Sequence, residues 1–168
     1  MEKSLNVKAV VEVLGALAVI ISLVFVGMQL DENTRATRSA IAAETTAMVA
    51  EWYSSLADNA DTSQVMRAFL RDPSKLTPDE RYRAAMKLHG FMLVFQSAYY
   101  LEEQGTLDVN IRDSLTKVLL SVGAQKGMAY YWMQRRATFT NENFIAFMDK
   151  ALETEETLSE SLYADPVD

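Results

Sequence analysis

His89 is the only histidine in a chain without cysteine, so any imidazole chemistry must centre on it. Read at helical spacing, Tyr82, Met86, His89, Leu93, Gln96 and Tyr100 share one face. An imidazole and an amide among aromatic rings on a core face can line a ligand pocket or move a proton. The same groups can instead form a satisfied hydrogen-bond network that fixes how helices register. The stretch "YYWMQRRATF" sets Tyr131 and Arg135 four residues apart, and Trp132 and Arg136 likewise. Arginine stacked on a ring can recognise an anion or hold an interface. Both arginines also stand near an expected helix C-terminus, where the helix dipole favours positive charge. The candidate ligand pocket is therefore His89, Gln96, Tyr100 and Arg135.

Little else in the chain is equipped for chemistry. One histidine without cysteine falls short of a zinc ligand set, and we expect neither metal nor cofactor. The acid pairs Glu102–Glu103 and Glu155–Glu156 are sequence neighbours and point apart on a helix, unlike a catalytic dyad. There is no Gly-rich phosphate loop and no Ser/His/Asp set in a recognisable context. These absences weigh against an enzyme. A net charge of −7 at pH 7, with scattered rather than clustered Lys and Arg, argues against a nucleic-acid partner; the bland reading of the acidity is solubility.

The elements that would position these residues begin with an apolar run, "AVVEVLGALAVIISLVFVGMQL", over residues 9–30. As a helix it would reach about 33 Å, against a hydrocarbon core of about 30 Å. Glu12 is its only charge, and from Val13 to Leu30 the polar side chains are Ser22 and Gln29. A cleaved signal peptide would have a shorter apolar core followed by a small-x-small site; here "QLDENTR" follows. We therefore expect residues 1–8 as a short tail, 9–30 as a transmembrane helix, 31–152 as a helical domain and 153–168 as an acidic C-terminal segment. Lys3 and Lys8 balance Arg35 and Arg38, so flanking charge does not choose an orientation.

Beyond the anchor every segment reads as helix. No glycine or proline lies between Gly27 and Pro73, so the anchor helix should continue to about Ala57. Further helices are expected from Thr62 to Arg71, from Pro78 to Gly105, over "LDVNIRDSLTKVLLS", over "QKGMAYYWMQRRA", and after Thr140 as far as Tyr163. The helix from Pro78 is signalled best: Thr77 caps, Pro78 takes the first helical position, Glu80 completes a capping box and Gly105 stops it. The fold class is all-α, a single N-terminal transmembrane helix continuing into an antiparallel helical bundle.

On a wheel of about 100° per residue with Ala36 at zero, Ala40, Ala43, Ala47 and Ala50 lie within about 40° of it. Gly15, Ala18, Ser22, Gln29 and Asn33 fall within about 60° of the same line. Small and amide-bearing residues thus form one stripe, opposite Ile41, Met48, Trp52 and Leu56, which should bury against the bundle. Small residues let helices approach closely in lipid, where packing replaces the hydrophobic drive. One reading makes the stripe a seam with another copy or another membrane protein. The other takes alanine as simply the best helix former, packed within its own bundle.

The segments "LGALAVIISLVFVGMQL", "ENTRATR", "LVFQSAYYLEEQGTLD" and "YYWMQRRATFTNENFIAFMD" resemble a group of uncharacterised bacterial proteins with one N-terminal membrane helix and a compact helical domain. The resemblance runs from about Val11 to Leu152 and is most specific in "NTRATR" and "YYLEEQGTLD". It implies a single-pass protein of the bacterial inner membrane and carries no activity. Relatives of this kind tend to be more basic after the membrane helix, which implies a cytoplasmic domain; Asp31 and Glu32 depart from that. An acidic residue often stands where this chain has Gln96, and that departure weakens an acid–base role there. The function expected is a membrane-anchored interaction protein with the lipid bilayer and a second copy or another membrane protein as partners. The alternative is a tethered small-molecule sensor or enzyme using the His89 pocket.

Overall fold

The computed structural model describes residues 2–153 of the chain. All six long elements are α-helices: α1 Glu2–Ala57, α2 Ala60–Arg71, α3 Pro78–Glu103, α4 Val109–Gly123, α5 Lys126–Arg135 and α6 Glu142–Glu153. Single 3₁₀ turns at Pro73–Lys75 and Arg136–Thr138 follow α2 and α5. The chain forms two compact units, Met1–Ala40 and Ile41–Asp168.

In the first unit, α1 is the one helix among the described residues long and apolar enough to cross a membrane, and its most apolar window is wholly unburied. Thr34 and Thr37 donate their hydroxyls to the carbonyls of Leu30 and Asn33, at 2.8 and 2.9 Å. Such back-bonding leaves these polar groups satisfied without a partner outside the helix.

In the second unit, local chemistry sets the helix ends. Asn59 caps α2 by accepting from the Thr62 N–H at 2.9 Å, so the helix starts earlier than its apolar pattern suggests. The α3 capping box forms as expected: Thr77 N–H donates to Glu80 at 2.8 Å, and Glu80 N–H donates to the Thr77 hydroxyl at 3.3 Å. Gly105, at φ +67°, closes the other end while Thr106 N–H donates to the Leu101 carbonyl at 2.9 Å. Asp108 caps α4, which continues through Gly123. At α6 the cap is Asn141, accepting from Phe144 N–H at 2.9 Å, in place of the expected Thr140. The expected continuation of α6 to Tyr163 lies outside the described residues.

The helices make an antiparallel bundle in which α3 is central, packed against α2, α4, α5 and α6. Its buried face is Ala84, Leu88, Phe91, Met92, Phe95 and Ala98. This corrects the face expected from sequence. Tyr82, Leu93 and Tyr100 are exposed, and Met86, His89 and Gln96 are only half-buried. Apolar residues occur on nearly every side of α3, and the stripe that carries Phe91, Met92 and Phe95 captured the interior.

Candidate functional site

Of the four candidate pocket residues, the fold brings two into one neighbourhood. His89 Nδ1 lies 2.7 Å from the Tyr131 hydroxyl, linking α3 to α5, and the imidazole packs edge-on against Phe139 with ring centres 5.5 Å apart. Burial pushes the His89 pKa below its usual 6.5, and the Arg135 charge adds to the effect. Burial likewise raises the Tyr131 phenol above its usual range. Both partners are therefore neutral at physiological pH, and the bond joins a neutral phenol to a neutral imidazole. Arg135 does not stack on Tyr131; its guanidinium approaches the Met86 sulfur at 3.7 Å and lines a shallow cleft with Arg81, Tyr82 and Tyr130. Gln96 is half-buried, with no partner for its side-chain oxygen among the described residues, and Tyr100 is exposed; neither lines that cleft.

This geometry suits a structural tie between α3 and α5. It also sets a pH dependence. An unfolded chain binds a proton at His89 more readily than the folded one, so stability rises with pH in this range. The contribution is complete above pH 6.5 and is lost as the pH falls from there through the folded-state value. Urea midpoints of the full-length protein should drop between about pH 7.5 and about pH 5, and His89→Gln should flatten that drop. Parallel behaviour of the two proteins would assign the dependence to another group.

The second candidate is the stripe on α1. In the first unit Gly15, Ala18, Ser22, Gln29, Asn33, Ala36 and Ala40 are exposed, with open space over Gly15. In the second unit Ala43, Ala47 and Ala50 are exposed as well. The same turns turn Ile41, Thr45, Val49, Trp52 and Leu56 inward, with Thr45 buried and the others half-buried. The Trp52 indole N–H donates to the Lys87 carbonyl at 2.8 Å, and its ring lies 4.8 Å from that of Phe91. Met48, expected inside, is 38% exposed; Thr45 and Val49 lie closer to the centre of the contact. Apolarity alone overlooked Thr45, whose methyl suits a close helix contact. Ser54, also exposed, falls on the alanine line and extends it.

A tie that sequence spacing missed joins α5 and its 3₁₀ turn to α6. Asp149 accepts from the Trp132 indole N–H at 2.8 Å and from Arg136 through Nε at 2.9 Å and Nη2 at 2.6 Å. Trp132 and Arg136 thus meet at a carboxylate rather than by stacking. The Arg136 bonds, then the Trp132 bond, hold the Asp149 pKa at about 2. Stability from this group is lost only as the pH falls from 3.8 through about 2, well below the His89 window. Nothing in the spacing of Asp149 marks it, because its partners lie on another helix.

Among the described residues, no group of three or more His, Cys, Asp or Glu side chains is placed to hold a metal ion. No family model matches the chain, and neither does any curated protein or solved structure.

Proposed function

We propose that the chain is a membrane-anchored helical interaction protein, inserted through residues 9–30 and assembling with a second copy through the small-residue face of α1. The observation that carries this reading is the two-sidedness of α1 in the bundle unit. Ile41, Thr45, Val49, Trp52 and Leu56 are engaged by the bundle, while Ala43, Ala47 and Ala50 are left outward. The anchor reading is supported by the exposure of large apolar side chains such as Ile21 at 67% and Leu23 at 66%, which water would not tolerate in a contiguous run. Within lipid, helix association relies on close packing of small side chains and on amide hydrogen bonds, and Gly15, Ala18, Ser22 and Gln29 supply both. The host membrane suggested by the sequence resemblance is the bacterial inner membrane, with the bundle on its cytoplasmic side.

The test is the mass of the full-length protein in a mild detergent, beside Ala40→Leu and Ala47→Leu. Both positions are exposed, so leucine there should alter monomer stability by no more than about 0.5 kcal/mol. The expected result is a defined oligomer of the wild type that either substitution reduces to monomer with helicity unchanged. A wild-type monomer at every detergent ratio would end the reading.

A further inference from the structure

The bundle unit contains a cavity of about 440 Å³ walled by Trp52, Leu56, Met66, Leu88, Phe91 and Leu119, among others. It falls within the range of about 300–1,000 Å³ typical of small-molecule sites. None of His89, Gln96, Tyr100 and Arg135 lines it. Its polar groups are few and mostly committed. The Trp52 N–H donates to Lys87, and the Ser63 hydroxyl donates to the Leu56 carbonyl. Arg67 is the exception: it lines the cavity, is exposed, and among the described residues forms no hydrogen bond or ion pair. An apolar wall with one uncommitted cation calls for a ligand with an apolar body and one anionic end. At the roughly 30 Å³ that one liquid water occupies, the cavity equals on the order of fifteen such volumes, room for a chain of medium length.

We propose that this cavity binds a medium-chain aliphatic carboxylate, its chain against Phe91 and Leu119 and its carboxylate paired with Arg67. A fixed guanidinium suits a carboxylate because two parallel N–H donors match its two oxygens. This site is independent of the α1 seam and stands or falls separately from it.

The experiment uses the full-length protein in lipid nanodiscs, because an alkyl detergent would compete for the cavity. Dodecanoate and dodecan-1-ol are titrated while tryptophan fluorescence is followed, with empty nanodiscs as the partition control. The expected result is a saturable change with dodecanoate, weakened about two- to fivefold by Arg67→Gln, the worth of one ion pair at an exposed arginine. Binding of dodecan-1-ol should be unaffected by that change. Val118→Trp, which fills the cavity from a half-buried wall position, should abolish both responses while circular dichroism stays unchanged. Absence of saturation in the wild type, or a response that survives Val118→Trp, would overturn the proposal. Equal dodecanoate affinity in wild type and Arg67→Gln would overturn the carboxylate assignment. Binding that emerges only after deletion of residues 154–168 would give the cavity to the chain's own C-terminal segment, and would also overturn it.

Discussion

Phe144→Ala is expected to destabilise the bundle by about 3–5 kcal/mol, the range for emptying a fully buried phenylalanine site. Phe144 on α6 is 0% exposed and sits where aromatic side chains from α3, from α5 and from Phe139 in the connection to α6 converge. Its ring centre lies 5.5 Å from Phe95, 5.7 Å from Tyr99, 6.5 Å from Trp132 and 5.5 Å from Phe139. The first three of these pairs are edge-on, an arrangement that adds about 0.5–1.5 kcal/mol each beyond simple burial. Truncation therefore removes transfer free energy and opens a cavity whose walls come from several helices, which cannot all close on it. A domain of this size has about 5–15 kcal/mol in total, so the variant should sit close to unfolding at 37 °C. Urea unfolding followed by tryptophan fluorescence measures it, with Phe147→Ala as a comparison. Phe147 is only half-buried, and its loss should cost visibly less. Equal costs at the two positions would mean that Phe144 is not the hub.

Gly127→Ala is the second large effect, and its sign is the informative part. In an ordinary helix, alanine in place of glycine is favourable by up to about 1 kcal/mol. At Gly127 an added Cβ would lie 2.1 Å from the Phe69 carbonyl oxygen and 2.7 Å from the Leu70 Cα. Both neighbours are backbone atoms of α2, so no rotamer change relieves the clash. The first turn of α5 must move off the last turn of α2, and overpacking of this kind costs about 1–3 kcal/mol. Gly90→Ala is the control: Gly90 is an exposed residue inside α3 with nothing within 4 Å of an added Cβ. It should be stabilised by about 0.5–1 kcal/mol. Thermal midpoints moving in opposite directions for the two variants would verify the α2–α5 contact. A stabilised Gly127→Ala would contradict it.

Those two residues mark how far sequence reading could go. The bounds of α3 were legible because Thr77, Pro78, Glu80 and Gly105 act through local geometry, within a few residues of where they stand. The inward side of α1 was legible in part, since Trp52 and Leu56 are large enough to declare it. The interior face of α3 was not. With apolar groups around the whole helix, the choice among faces depended on which neighbours α4, α5 and α6 offered. Gly127 was silent for the same reason: a glycine required by a crossing helix looks like any other until the crossing is known. His89 and Tyr131 were both noticed separately, but only the packing of α3 on α5 joins them. The alanine stripe was fully legible as a pattern. Its purpose was not, because an outward row of alanines has the same local chemistry whether it meets a partner or water.

Membranes carrying single-cysteine variants give the most direct measurement of that purpose, because the chain has no cysteine of its own. Cysteines at Ala43, Ala47 and Ala50 lie along the outward line of α1, whereas Met48 and Tyr53, equally solvent-accessible in kind at 38% and 43% exposure, lie off it. Mild oxidation should cross-link the first three into dimers and leave the other two monomeric, since only a seam brings equivalent positions within the roughly 4–7 Å that a disulfide needs between Cα atoms. Dimers forming equally at all five positions, or at none of them, would contradict assembly through this face.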